Sequence, residues 1–205
     1  MLAIDGATYL SNTESTSPAV EPITLAEAKA HLRVTHSAED ALITSLIVAA
    51  RNYVEGLTNR PLIQRNYLLK LDRFPAGYEI VLPAGKASAV SVIRYTDVGG
   101  TNITYASTNY ALDGARLPGS VVMQPSAGSW PTTRYQPGLA SVEVTYTAGY
   151  GAAAASVPQA LRQAILMALA YWYDVARETA SDVALSEVPH GVEALCRLYQ
   201  VPRFA

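Results

Sequence analysis

The longest helical pattern in the chain runs from Ser156 to Glu178, SVPQALRQAILMALAYWYDVARE. Leu161, Ile165, Leu169 and Trp172 recur at helical spacing, flanked by Ala164, Ala168, Tyr171, Val175 and Ala176, so the predicted apolar face is wider than one packing partner needs. Leu166, Met167 and Tyr173 carry apolar character onto the remaining face. Pro158 sits where a first helical turn tolerates proline, and Arg177 near the end suits the helix dipole. A helix this apolar is expected to be covered on more than one side, by its own chain or by a neighbouring copy. That expectation is a first indication of assembly, beside the plainer reading of a central core helix.

Two shorter helices precede it. Thr24 followed by Glu27 makes a capping-box signal, and Leu25, Ala28 and Leu32 predict a helix ending near His31 or Leu32. Ser37 with Asp40 signals a second start, and Ile43, Leu46, Ile47, Ala50, Val54 and Leu57 form a regular stripe up to Asn59-Arg60-Pro61. Residues 1–22, rich in Ser, Thr and Pro, read as an extended arm without a core of its own.

The period then changes. Leu62 to Leu71, Tyr78 to Leu82, Val90 to Tyr95, Asn102 to Tyr105, Tyr110 to Leu112 and Ser120 to Met123 read as strands, with Gly99-Gly100 as a hairpin turn. In Ala140 to Thr147, Val142, Val144 and Tyr146 alternate with Ser141, Glu143 and Thr145, the clearest strand pattern of all. After the long helix, Thr179 to Val188 reads as a loop, and His190 to Tyr199 as a last helix with Val192, Leu195, Cys196 and Tyr199 on its apolar side. The predicted fold class is α+β. Two N-terminal helices, a long third helix and a short C-terminal helix form a helical body, with an inserted antiparallel β-rich block. The expected divisions are an arm at 1–22, a helical body at 23–61 and 152–205 ending in a C-terminal tail, and the inserted domain at 62–151.

Composition narrows the chemistry. Of 205 residues, 50% are apolar or aromatic and 16% charged, which is a globular balance. The 13 tyrosines against 2 phenylalanines suit half-buried sheet faces and contact surfaces. A formal charge of -2 gives no global attraction to nucleic acid or to an acidic membrane. The single Cys196 excludes an internal disulfide framework, and its helical setting reads as a buried structural thiol. The N-terminus lacks the basic start and apolar core of a secretory signal, so use inside a cell is expected. The run from Ala164 to Tyr173 is roughly half of what a bilayer crossing needs, and no membrane partner is expected.

No nucleophile elbow or phosphate-cradling loop occurs, and Gly149-Tyr150-Gly151 lacks the third glycine of a dinucleotide site. His31 and His36 bracket a turn and could reach one metal together with Asp40, but turn polarity explains them as well. Asp97 and Asp113 are the candidate carboxylate pair, and loop chemistry explains both. A helix-turn-helix that reads DNA needs basic and amide groups at the start of its second helix. This one begins Ser37-Ala38-Glu39-Asp40 and carries only Arg51 as a base. No catalytic residue, metal or cofactor is assigned.

The succession "ITLAEAKAHLRV", "SAEDALITSLIVAARNYVEGLTNRPLI", a β block containing "SWP" and closing in "VTYTAGYG", then "VPQALRQAILMALAYWY" and "VPRF" resembles the head-tail connector, or adaptor, proteins of long-tailed bacteriophages and gene transfer agents. The resemblance spans Ile23 to Phe204 and consists of packing residues. It implies a structural protein, made in the bacterial host cytoplasm and placed in the virion neck. Its copies would form a dodecameric ring between the portal and a stopper or tail-completion protein, around a channel for double-stranded DNA read without sequence specificity. It also implies that the C-terminal segment touches the portal, through Arg197, Tyr199, Val201, Pro202, Arg203 and Phe204. The near-neutral charge suits a wall past which DNA slides. The competing reading is a small ligand-binding module or enzyme on the Tyr-rich block, with Trp130, Tyr135 and Tyr150 as stacking residues.

Overall fold

The computed structural model describes residues 2–4, 6–136, 138–178 and 190–201. In chain order the elements are β1 (Leu2–Ile4), β2 (Ala7–Glu14), α1 (Leu25–Leu32), α2 (Asp40–Thr58), β3 (Arg65–Leu71), β4 (Glu79–Val81), β5 (Ala87–Thr96), β6 (Asn102–Tyr105), β7 (Tyr110–Asp113), β8 (Ser120–Met123), β9 (Val142–Ala148), α3 (Gln159–Glu178) and α4 (His190–Arg197). The fold is α+β, as the pattern predicts. It separates into a sheet unit (Met1–Ser17, Gln64–Gly149 and Val201–Ala205) and a helical unit (Pro18–Ile63 and Tyr150–Gln200).

In the sheet unit a six-stranded sheet has the order β1-β2-β3-β9-β5-β6, and a three-stranded sheet the order β4-β8-β7. Every pairing is antiparallel. β9 lies between β3 and β5, with Val144 opposite both Leu69 and Ile93. Its alternation is strict: Val142, Val144, Tyr146 and Ala148 are fully buried, while the residues between them are half-buried. That is the pattern of a central strand with one face on a core. The core gathers Leu69, Leu71, Ile93, Val144 and Tyr146 from the large sheet with Ile80 and Val121 from the small one. Buried hydroxyls are satisfied within it. Tyr146 donates to Asn12 Oδ1 at 3.0 Å and accepts from the Ala84 N–H at 3.1 Å, and Tyr9 accepts from the Val81 N–H at 3.0 Å.

One correction falls here. Residues 7–14, expected within an arm lacking a core, form β2 and pair with β3. Ala7 and Tyr9 are buried, and the Thr8 N–H donates to Asp72 Oδ1 at 2.8 Å. The alternation of Ala7 and Tyr9 is short, and the Ser/Thr-rich composition around it hides the strand period.

The helical unit packs α3 against α1, α2 and α4. At α1 the capping box is present: the Glu27 N–H donates to Thr24 Oγ1 at 3.2 Å and the Thr24 N–H to Glu27 Oε2 at 2.8 Å. Arg33 in the left-handed region, φ 58°, ends the helix. The second start differs from expectation. The residue before α2 is Glu39 and no side chain caps the helix: the Glu39 carboxylate accepts from the Tyr173 hydroxyl, and the Asp40 carboxylate takes Lys29 Nζ at 2.6 Å. Ile43, Ile47, Ala50 and Val54 are buried, with Leu46 and Leu57 partly so. Leu62 and Ile63, expected to begin a strand, are fully buried in the helical core, and β3 begins at Arg65.

The face of α3 also shifts. Leu161, Ile165, Leu169 and Tyr173 form the buried row at four-residue steps, with Ala164 and Ala168 beside it, while Trp172 is only partly buried. Tyr173 is held by its hydroxyl, which donates to Glu39 Oε2. Leu166, Met167 and Trp172 pack on the same core, and no large apolar side chain of α3 as far as Tyr173 is among the exposed ones. Up to Tyr173, therefore, the large apolar side chains of α3 are buried or partly buried. The loop expected at Thr179 to Val188 lies outside the described residues.

Candidate assembly surface

At the C-terminus α4 is amphipathic. Val192 and Cys196 are buried, whereas Glu193, Ala194 and Arg197 are exposed. Burial pushes the Cys196 thiol up to about 11, with the Glu193 carboxylate adding to the effect, so it stays protonated and unreactive at neutral pH. Just past the helix Leu198 is 88% exposed, the barest large apolar side chain among the described residues. Of the six residues that the resemblance assigns to the portal, Arg197 is exposed, Tyr199 half-buried and Val201 buried. Pro202, Arg203 and Phe204 lie outside the described residues. Leu198 was not singled out by pattern, since a leucine one step beyond an apolar stripe reads as part of it.

The buried charges of the helical unit are engaged within its own fold. Arg51 is buried, with Nε on Glu21 Oε2 at 2.8 Å and Nη1 on Glu55 Oε2 at 3.0 Å. Glu55 also accepts from the Leu62 N–H at 2.8 Å, which ties the end of α2 to the chain that leaves it. The one base of the candidate DNA-reading helix is thus unavailable to phosphate. Val20, Ile23, Leu25, Ile47 and Ala152 line an apolar groove of about 490 Å³ in this unit.

The candidates for chemistry are held in other roles. His36 faces Glu39 at 3.7 Å, Asp40 is bound to Lys29, and no cluster of three metal-ligating side chains occurs among the described residues. Asp97 and Asp113 each accept a backbone N–H of their own turn, from Thr101 at 2.8 Å and Ala115 at 3.3 Å. Trp130 stacks on Phe74 at 4.9 Å, its indole N–H donating to the Gly77 carbonyl at 2.9 Å. The Arg73 guanidinium lies 3.7 Å from the centre of the Tyr135 ring. In the other unit, the Tyr150 hydroxyl accepts from Arg60, and burial raises its pKa despite that cation. Trp130 and Tyr150 are each engaged within their own unit.

These features define an α+β packing protein whose polar side chains serve caps, clamps and turns. The head completion protein family model matches residues 21–184. The chain belongs to the head completion protein family. Among solved structures it is similar to a chain in the neck of an empty gene transfer agent (GTA) particle computed with C6 symmetry, at 28% identity and TM-score 0.74 over 94% of this chain and 96% of that one. The same coverage is found for a chain of the virion of a native GTA particle, at 28% identity and TM-score 0.74. A chain in the neck of a native GTA particle computed with C12 symmetry aligns at 26% identity and TM-score 0.71, also over 94% and 96%. No curated protein matches the chain.

Proposed function

We propose that this protein is a structural connector of the neck of a bacteriophage or gene transfer agent, without catalytic activity. Its copies form a ring, of twelve by analogy with the C12 neck, between the portal and a tail-proximal stopper. The ring surrounds a channel through which double-stranded DNA passes without sequence-specific contact. The observation that carries this reading is the likeness to GTA neck chains over 94% of the sequence, both units included. The helical unit, Pro18–Ile63 and Tyr150–Gln200, builds the ring, and the sheet unit decorates it.

The C-terminal segment, Arg197, Tyr199, Val201, Pro202, Arg203 and Phe204, is proposed as the portal contact. An exposed Arg197 beside a bare Leu198 supports that placement, because arginine is enriched at contact centres and covering a bare leucine removes apolar surface from water. The test is direct. Purified protein mixed with the portal of its own particle should give a symmetric double-ring particle in electron micrographs, and portal particles that stay bare would refute the reading.

A further inference from the structure

Among the described residues Arg51, Arg60 and Arg65 are buried arginines. Arg51 holds Glu21 and Glu55, and Arg65 holds Glu14 at 3.0 Å. Arg60, in the helical unit, is 8% exposed and forms no ion pair with a carboxylate among the described residues. Its Nη1 donates to the Tyr150 hydroxyl, and Nε is buried without a partner. Nη2, which likewise has none, is not among the buried nitrogens. A charge taken out of water normally has a counter-ion and a full set of hydrogen bonds. A neutral hydroxyl, with the Tyr150 ring 5.1 Å from Arg60 Cζ, supplies much less.

The chain holds this unmatched cation in place by its backbone. Asn59 in the left-handed region, φ 53°, ends α2, and the Arg60 N–H donates to the Glu55 carbonyl at 3.3 Å. Pro61 has no N–H with which to continue the helix. The Leu62 carbonyl then accepts the Tyr150 N–H at 3.2 Å, which sets Tyr150 beside Arg60. Glu55 is the nearest acid along the chain, but its Oε2 is on Arg51 Nη1 and its Oε1 takes the Leu62 N–H at 2.8 Å. Tyr199, just past α4, packs on the same core as Tyr150. Burial raises the Tyr150 pKa and Tyr199 adds to the rise, so the two tyrosines lie near one another.

We infer that Arg60, with Tyr150 and Tyr199 beside it, is the seat for one carboxylate side chain of the portal, which lands on Nη2. The source follows from continuity: Tyr199 belongs to the segment proposed above as the portal contact, so an acid that arrives with the portal meets Arg60 at the same place. A charge-assisted bond from a guanidinium to a carboxylate supplies the missing counter-ion. Phosphates of DNA are held by a run of cations, and Arg51 and Arg162 of the same unit are taken by Glu21, Glu55 and Glu27. The free chain thus carries an unmatched charge that the portal relieves. This inference rests on the portal-contact reading.

The test uses the full chain and its purified portal, with attachment titrated in a pull-down and melting followed in parallel. Arg60→Met fills similar space without the charge. It should weaken attachment by about thirtyfold or more, as loss of one partner of a buried charge pair does. Its melting temperature should stay within about two degrees of wild type or rise, because an unmatched buried charge has been removed. Arg60→Lys, which keeps a charge, should attach more tightly than Arg60→Met. Undiminished attachment of Arg60→Met to a portal that wild type binds would overturn the seat and leave the portal contact standing. A melting temperature several degrees lower in Arg60→Met would overturn it as well, since the guanidinium would then serve the free fold. Wild-type binding to a double-stranded DNA fragment that Arg60→Met loses would assign the cation to phosphate instead. A portal left bare by wild type would overturn the portal reading, and this inference with it.

Discussion

Glu27 shows how one side chain can serve two elements. It closes the capping box of α1 and takes the Arg162 guanidinium of α3, so a local start signal also fastens two helices. The Thr24 backbone N–H, then the Thr24 hydroxyl and Arg162, hold its carboxyl below the usual 4.5. A depressed carboxylate stabilises the fold fully above its unfolded pKa, and that contribution is lost as pH falls through the folded value. Urea midpoints taken between pH 7 and pH 3 should therefore fall for wild type below 4.5 more steeply than for Glu27→Gln. Thr24→Ala, which removes the cap, should cost about 1 kcal/mol at neutral pH. Parallel acid limbs in wild type and Glu27→Gln would show that Glu27 carries none of this dependence.

At the scale of elements, legibility followed the strength of the local signal. β9 was readable because Val142, Val144 and Tyr146 alternate without a break, and the first helix because Thr24 and Glu27 sit at capping-box spacing. The start of α2 at Glu39, not Ser37, is illegible locally because the partners of Glu39 and Asp40, Tyr173 and Lys29, are brought to them only by the fold. β2 stays hidden because its buried alternation covers only Ala7 and Tyr9, with Ser- and Thr-rich residues around it. A further constraint appears only in three dimensions. A Cβ on Gly114, just after β7, would lie 2.6 Å from the Ala87 carbonyl oxygen of β5. Backbone cannot yield as a flexible side chain does, so Gly114→Ala should destabilise the sheet unit by about 1–3 kcal/mol in chemical denaturation. A change within 0.5 kcal/mol would mean that the two strands separate without cost.

For the whole molecule, the family and the fold class are legible in the succession of helical and sheet patterns. The long helix is apolar on most sides and, up to Tyr173, its large apolar side chains are buried or partly buried, so the evidence for assembly lies in the likeness to neck chains and in the surfaces left bare elsewhere. The portal contact is tested at this scale too. Val201 is 4% exposed, so a deletion that begins there would uncover core and confuse folding with docking. Removing only residues 202–205 should leave the melting temperature within a degree or two and abolish portal attachment in a pull-down with the purified portal. Retained attachment would move the contact elsewhere.

The position of β9 also governs how the protein can be made. β3 and β5 both pair with Val142–Ala148, and neither is a neighbour of the other in the sheet. While the ribosome is still adding the residues before Val142, the hairpin of β5 with β6 and the strands around β3 wait as two separate half-sheets with open edges. Until that last strand emerges the nascent chain is most open to capture by chaperones or to sticking to its neighbours, so pauses in translation upstream of Val142 would lower the yield of usable protein more than pauses after Ala148.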